Sequence, residues 1–208
     1  MLNIWKVKYK YLLKRDYISP EFKKEAAQYW RKYTRSFKPY WHKFYLSRNG
    51  IYDVRYVPDD LYYTEIDQHF NDRKYGWGVN DKNYYSLWYP QVKQPKTIVR
   101  KINGIFYNEN YEIISEKEAI YLCLKNDKLI IKPAVETGGS KGIKFWEKEE
   151  GVNVLKKYVV NGENNLIIQE MIKQHKELSR IHPSSINTVR IISLLFRGKV
   201  HILSSVLR

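Results

Sequence analysis

Residues 129–142, LIIKPAVETGGSKG, organise the chain: an apolar run follows the turn-forming pair Asn126-Asp127, a pattern typical of a short buried strand. Because Pro133 has no N–H to donate to a central ladder, we predict that this strand ends at Lys132 and leaves its ammonium at the C-terminal edge. The loop that follows contains Gly138, Gly139, Ser140, Lys141 and Gly142. Backbone N–H groups of glycines can approach an anion closely. The stretch therefore indicates a phosphate site, and an exposed hairpin loop with a solvated lysine is the alternative.

Two common phosphate-binding motifs do not fit this loop. A P-loop requires G-x-x-x-x-G-K-[ST], but no glycine lies five residues before Gly139 and no lysine follows it directly. A dinucleotide-binding fingerprint requires G-x-G-x-x-G at the start of a helix, and residues 138–142 do not supply it.

Composition limits the class of protein. A chain of 208 residues allows one or two domains, and 43% hydrophobic with 15% aromatic residues favours a folded protein. The single Cys123 excludes an intramolecular disulfide and favours a reducing, cytoplasmic setting. Because no apolar run reaches about 18 residues and no apolar segment of a signal peptide is present, we do not expect secretion.

The positive charge is concentrated at the N-terminal end. Residues 1–50 hold 13 Lys and Arg against 3 Asp and Glu, or +10 of the formal +15 of the whole chain. This imbalance suggests an anionic partner: a membrane surface, with peripheral association at the inner membrane, or an acidic glycan. A basic nucleic-acid-binding module is the competing hypothesis, although nucleic acid is not the favoured partner, and a solvated helical face is the bland explanation.

The N-terminal region is predicted to be helical. Residues 19–21, Ser-Pro-Glu, combine an N-cap, a proline at the first helical position and an early acid. The apolar spacing predicts that this helix continues to Phe37 and ends before Pro39. Its apolar stripe contains Phe22, Ala26, Tyr29, Trp30, Tyr33 and Phe37.

Two more helical segments are predicted before residue 90. One begins after Pro58 and runs to about Asp72, and a loop is expected at residues 76–78, Gly-Trp-Gly. A short helix that carries Lys82 then follows, with Asn80 or Asp81 as its cap.

From Pro95 the pattern predicts an α+β domain with an antiparallel sheet. Asn103-Gly104 is a strong hairpin signal between two β-rich runs, and Ser115 with Glu118 forms a capping box before a helix. Further strands are expected at residues 143–145, 166–168, 188–196 and 200–207. A second helix is predicted from Glu149 to about Val160, and its inward residues are Val152, Leu155 and Val159.

Five ordered stretches make the chain resemble the sugar-transfer-associated ATP-grasp family of bacterial polysaccharide gene clusters. They cover about residues 60–208 and read NDKNYYSLW, PKTIVRKINGIFYN, IIKPAVETGGSKGIKF, IIQEMIKQH and HPSSINTVRIISLL. The residue pattern predicts a helical N-terminal region, residues 1–94, and the resemblance implies that an incomplete ATP-grasp domain follows it. That domain would consist of a first lobe with a glycine flap, residues 95–168, and a connector with the start of a second lobe, residues 169–208.

The resemblance also assigns roles to individual positions. Lys132 and Lys82 resemble the two lysines that contact the ATP phosphates, and the loop 138–142 resembles the flap over the triphosphate. The inter-lobe connector, where adenine would bind, corresponds to Gln169, Glu170, Met171 and Ile172. His175 lies where ribose contacts occur, and Arg190 and Arg208 resemble basic residues that face the phosphates from the second lobe. Alternation places Arg190 on an apolar face, where an arginine needs an anionic partner.

The family chemistry implies ATP and Mg²⁺ as cofactors and a carboxylate-amine ligase that forms an acyl-phosphate. The expected substrates are of the sugar-acid or amino-acid type. No Asp or Glu follows Glu177, so the metal ligands are expected beyond residue 208. We therefore expect this chain to be an N-terminal portion that is inactive by itself.

Overall fold

The computed structural model describes residues 18–35, 37–71, 73–135 and 141–207. Its internal contacts divide the chain into two compact units, Met1–Gly76 and Trp77–Arg208. The mixture of helices with antiparallel sheets confirms the predicted α+β fold class. The three domain ranges expected from the sequence stay a prediction.

The first helix in the described part of the first unit is α1, Pro20–Trp30. The hydroxyl of Ser19 accepts a hydrogen bond from the N–H of Phe22 at 3.1 Å, so the predicted N-cap is confirmed. The predicted continuation of this helix to Phe37 is wrong, because the chain leaves the helix after Trp30.

Tertiary packing explains why α1 ends early. The indole of Trp30 is buried and donates its N–H to the carbonyl oxygen of Val54 at 2.7 Å. A second helix that was not predicted, α2, covers Tyr40–Asn49 and buries Trp41 and His42. Buried aromatic contacts therefore outweigh the helical periodicity that continues in the sequence beyond Trp30.

The helical segment predicted after Pro58 is present as α3. It consists of three consecutive pieces, Asp59–Leu61, a π-helical turn Tyr62–Ile66, and Asp67–Phe70. The loop predicted at residues 76–78 is wrong, because these residues lie in helix α4, Arg73–Val79. Two glycines cost a helix about 1 kcal/mol each relative to alanine but do not forbid it.

The second unit is built on a six-stranded sheet whose strands are β1 Thr97–Ile102, β2 Ile105–Tyr107, β3 Ile113–Ile114, β4 Lys128–Pro133, β5 Lys144–Glu147 and β6 Leu166–Glu170. Their order across the sheet is β3-β2-β1-β6-β4-β5, and each pair of neighbouring strands is antiparallel. The predicted hairpin between β1 and β2 is confirmed, since Asn103 and Gly104 both have positive φ, 50° and 85°.

Helices cover one face of this sheet. A short helix α5, Tyr85–Trp88, precedes the sheet, and α6, Glu116–Leu124, and α7, Gly151–Val159, pack on it. The core they share with β4 and β6 contains Ala119, Cys123, Leu129, Ile131, Leu155, Val159 and Ile168. Val152 was predicted to face inward and does not, because it lies on the exposed side of α7.

The end of β4 differs by one residue from the sequence-based expectation. Pro133 is part of the strand and lies opposite Leu166 in the ladder. A proline lacks only the N–H donor, so it can occupy the last position of a strand. Along β4, Leu129 and Ile131 enter the core, and alternation therefore places Lys132 on the opposite face, here called the second face of the sheet.

After β6 the chain forms a short helix α8, Lys176–Ser179, and a separate two-stranded hairpin. Its strands are β7, Val189–Phe196, and β8, Lys199–Leu207, joined at Arg197-Gly198 as predicted. Nearly all described residues of these two strands are exposed.

Candidate functional site

Lys132 lies at the C-terminal end of β4 on the second face of the sheet. Its ammonium donates a hydrogen bond to Oε1 of Gln169 on the neighbouring strand β6, at 3.1 Å. Among the described residues, Lys132 forms no salt bridge. The ammonium of Lys132 is therefore held by a neutral acceptor.

Lys82 reaches the same strand end from a distant part of the sequence. It lies in a 3-10 turn, Lys82–Tyr84, which Asp81 caps by accepting from the N–H of Asn83 at 2.9 Å. Its backbone N–H donates to the carbonyl oxygen of Ala134 at 3.0 Å. Its ammonium donates to the carbonyl oxygens of Pro133 at 3.0 Å and Ala134 at 3.1 Å.

The electrostatics of this pair favour an anionic ligand. Burial is the main cause that lowers the pKa of Lys132, and the positive charge of Lys82 lowers it further. Burial also lowers the pKa of Lys82, against the opposing influence of Asp81. A phosphate placed beside both ammonium groups would relieve their mutual repulsion.

Arg100 on β1 anchors the segment that carries Lys82, and sequence reasoning missed it. Its side chain is 2% exposed, and Nε donates to the carbonyl oxygen of Asn83 at 3.0 Å. One terminal nitrogen donates to the carbonyl oxygens of Asn108 and Glu109, and the other donates to the hydroxyl of Ser86. A charged residue within a β-rich run was the signal that could have pointed to it.

The glycine-rich loop is described only in part. Gly138, Gly139 and Ser140 lie outside the described residues, so the predicted flap stays a prediction. Lys141 is exposed, and Gly142 has φ +74°. A Cβ on Gly142 would lie 2.7 Å from Cγ of Pro133, so the return of this loop passes close to the end of β4.

The connector 169–172 continues directly from β6. The N–H of Glu170 donates to the carbonyl oxygen of Lys96 at 3.0 Å, while Met171 and Ile172 are 39% and 53% exposed. These two apolar side chains are accessible to a ligand, and their predicted role at the adenine stays a prediction. The side chain of Gln169 faces Lys132 instead of solvent.

Three further residues were proposed from the family resemblance. His175 caps α8, since its Nδ1 accepts from the N–H of Glu177 at 3.3 Å. Arg190 is exposed on β7, so the argument that burial forces it to find an anion does not apply. Arg208 lies outside the described residues. The roles predicted for these residues in nucleotide binding stay predictions.

A cavity of about 420 Å³ lies elsewhere in the second unit, at the start of β1 beside α6. Its lining includes Lys96, Thr97, Asn108, Glu109, Glu118 and Lys125. Lys82 and Lys132 are not part of that lining, so the lysine pair belongs to the open strand end and not to this cavity.

The described residues show no site for a metal ion. Within residues 18–35, 37–71, 73–135 and 141–207, no three His, Cys, Asp or Glu side chains are grouped so that they could hold a cation. The residues that would hold the Mg²⁺ implied by the family resemblance therefore stay a prediction. The same ranges include no helix that is long and apolar enough to cross a membrane.

The second unit combines an antiparallel sheet with two lysine ammonium groups at the end of β4, an arrangement that suits an anionic ligand. The model of the family of sugar-transfer associated ATP-grasp proteins matches residues 62–208, and the chain belongs to this family. The resemblance seen in the sequence is thereby confirmed. No curated protein and no solved structure matches the chain. Family membership supports ATP binding and a ligase-like role connected with polysaccharides.

Proposed function

We propose that the chain binds the phosphates of ATP between Lys132 and Lys82 and belongs to a carboxylate-amine ligase. The observation that carries this proposal is the convergence of two partly buried ammonium groups on the end of β4, with neutral acceptors around Lys132. The family match supports a nucleotide as the anionic ligand of these two lysines.

The proposed reaction has two steps. A substrate carboxylate oxygen attacks the γ-phosphorus of ATP, the bond to the bridging oxygen breaks, and ADP leaves with that electron pair. An amine nitrogen then attacks the carbonyl carbon of the acyl-phosphate, inorganic phosphate leaves, and an amide forms after loss of a proton. In both steps negative charge moves among phosphate oxygens, which is the charge that fixed ammonium groups stabilise.

The substrates proposed are a sugar acid or an amino acid that is joined to a saccharide intermediate. The association of this family with sugar transfer supports a saccharide as one partner. The expectation that this chain of 208 residues binds nucleotide without turning it over stays a prediction, and an assay of ATP hydrolysis would test it.

Calorimetric titration with ATP tests the phosphate site. Loss of a hydrogen bond from a charged donor costs about 1.5–3 kcal/mol, so Lys132→Ala is expected to weaken ATP binding by about 10- to 150-fold. Lys82→Ala is expected to act in the same direction. The control is Lys128→Ala on the same strand, whose ammonium is exposed and pairs with Glu147 at 2.7 Å. Equal ATP affinity in the Lys132 and Lys128 variants would refute the proposal.

The contacts of the described residues in the basic N-terminal end do not support a separate function for it. Residues 1–17 lie outside the described residues, and Lys23, Lys24, Arg31, Lys32 and Arg35 are exposed. The nucleic-acid or anionic-surface module remains the alternative prediction. Salt-sensitive RNA, DNA or vesicle binding that is lost on deletion of residues 1–50 would favour it.

A further inference from the structure

Gln169 is the residue that connects the end of β6 to the ammonium of Lys132. Its side chain is buried, with 7% exposure, and forms three polar contacts. Oε1 accepts from Lys132 at 3.1 Å, while Nε2 donates to the hydroxyl of Thr97 at 3.3 Å and to the carbonyl oxygen of Pro95 at 3.4 Å.

Elementary hydrogen-bond chemistry fixes the orientation of this amide. A lysine ammonium can only donate, so the atom facing Lys132 must be the amide oxygen. A peptide carbonyl can only accept, so the atom facing Pro95 must be the amide nitrogen. The amide oxygen of Gln169 therefore faces a hydrogen-bond donor, and its amide nitrogen faces an acceptor. A flipped amide would leave both partners without a hydrogen bond.

No other common side chain of this size meets both demands. A glutamate would pair with Lys132 and neutralise the charge, and its second oxygen would face the Pro95 carbonyl without a proton to donate. An aliphatic residue would leave a partly buried ammonium without its acceptor and free to change rotamer. Glutamine holds the ammonium in place and leaves its charge uncompensated.

We propose that Gln169 is a positioning residue: it orients Lys132 toward the ligand phosphate while keeping the lysine charge available for that phosphate. This inference rests on the proposed phosphate site. It assigns to the Gln169 side chain a role at the phosphates, distinct from the contact with adenine that its place in the connector suggests. Because Gln169 also binds Thr97 of β1 and Pro95 just before that strand, it connects Lys132 to the start of β1.

The test uses the complete chain, with ATP and inorganic tripolyphosphate as separate probes and calorimetry from about pH 7 to about pH 10. Gln169→Glu is expected to weaken the binding of both probes by about tenfold or more, because the new carboxylate would pair with the Lys132 ammonium and offset its positive charge. Gln169→Ala is expected to weaken both by a smaller factor. Gln91→Glu makes the same change of charge at an exposed residue of the same unit and should leave binding unchanged.

The pH dependence separates positioning from a loss of folding. The affinity for both probes is expected to fall in the pH range in which Lys132 loses its proton. A carboxylate beside Lys132 favours the protonated form of the lysine. The fall is therefore expected at higher pH in Gln169→Glu than in the wild type. It is expected at lower pH in Gln169→Ala, which removes the acceptor. A merely structural role would not move the two profiles in opposite directions.

Each outcome of this test has a definite meaning. If Lys132→Ala abolishes binding while Gln169→Glu binds with unchanged affinity and an unchanged pH profile, the positioning role is refuted and the phosphate site stands. If Lys132→Ala binds as the wild type does, the phosphate site itself fails. Should Gln169→Glu not fold, Thr97→Val removes one partner of the amide more gently. It is expected to shift affinity and pH profile in the direction of Gln169→Ala, and absence of any shift in both Thr97→Val and Gln169→Ala refutes the inference.

Discussion

Replacing Arg100 by methionine tests whether the segment that carries Lys82 is anchored by this guanidinium. Four hydrogen bonds are lost, but two of the four acceptors, the carbonyl oxygens of Asn83 and Asn108, retain another donor. The Tyr111 hydroxyl still donates to the carbonyl oxygen of Asn83 at 2.6 Å and still contacts Ser86, and the Tyr111 N–H still donates to the Asn108 carbonyl oxygen. The carbonyl oxygen of Glu109 loses the bond at 3.0 Å that Arg100 supplied.

The expected loss of stability in Arg100→Met follows from the hydrogen bonds that are not replaced. One abandoned carbonyl costs about 1–3 kcal/mol, and the lost contact of the guanidinium with the Tyr111 ring, at 4.1 Å, adds about 0.5–2 kcal/mol. Removal of a buried charge returns part of this cost, since burial lowers the pKa of Arg100. We expect a decrease of about 1–4 kcal/mol in the free energy of unfolding of the second unit.

Urea denaturation measures this change, and hydrogen exchange of residues 82–88 locates it. The control is Arg180→Met, which removes an exposed arginine paired with Glu177 at 3.6 Å and should cost less than about 1 kcal/mol. An Arg100→Met protein as stable as the control, with unchanged exchange at residues 82–88, would refute the anchoring role.

Three other predictions concern stability and reactivity. Burial lowers the pKa of His42 below its ordinary value, so the unfolded chain binds the proton more tightly. The free energy of unfolding of the first unit should therefore decrease as pH falls below about 6.5, and His42→Phe should abolish that part of the dependence in urea titrations. Gly142→Ala should destabilise the chain by at least about 1 kcal/mol more than Gly198→Ala. Both glycines have φ +74°, but only the first would place a Cβ 2.7 Å from Pro133, and thermal unfolding would compare them. Burial raises the pKa of Cys123 to about 12, so the native thiol should not react with a thiol reagent at neutral pH, whereas rapid modification would contradict its core position.

Local chemistry made part of the fold predictable. The β1–β2 hairpin followed from Asn103-Gly104, because type I′ geometry needs two residues with positive φ. The starts of α1 and α6 followed from Ser19 and Ser115, whose hydroxyls accept from backbone N–H groups three residues later. The end of α1 at Trp30 was not predictable, because it depends on a bond to Val54 that periodicity does not record.

In the candidate site, too, only features that depend on residues adjacent in sequence could be predicted. Lys132 could be predicted because the strand and proline that position it are adjacent in sequence. The side-chain contact with Gln169 spans 37 residues, and the contact between Lys82 and Pro133 spans 51, so local patterns could not reveal either. Arg100 was missed for the same reason, since its acceptors come from two segments that lie before and after it in the sequence.

The most direct test of the phosphate site is the pKa of the Lys132 ammonium with and without ATP. It can be followed by NMR of isotope-labelled lysine, with the resonance assigned from its absence in Lys132→Arg. In the free protein this pKa lies below the ordinary lysine value because of burial and Lys82. Contact with the phosphates should raise it on addition of ATP, by the linkage that makes ATP binding favour the protonated lysine. A Lys132 pKa that stays the same at saturating ATP would contradict the proposed site.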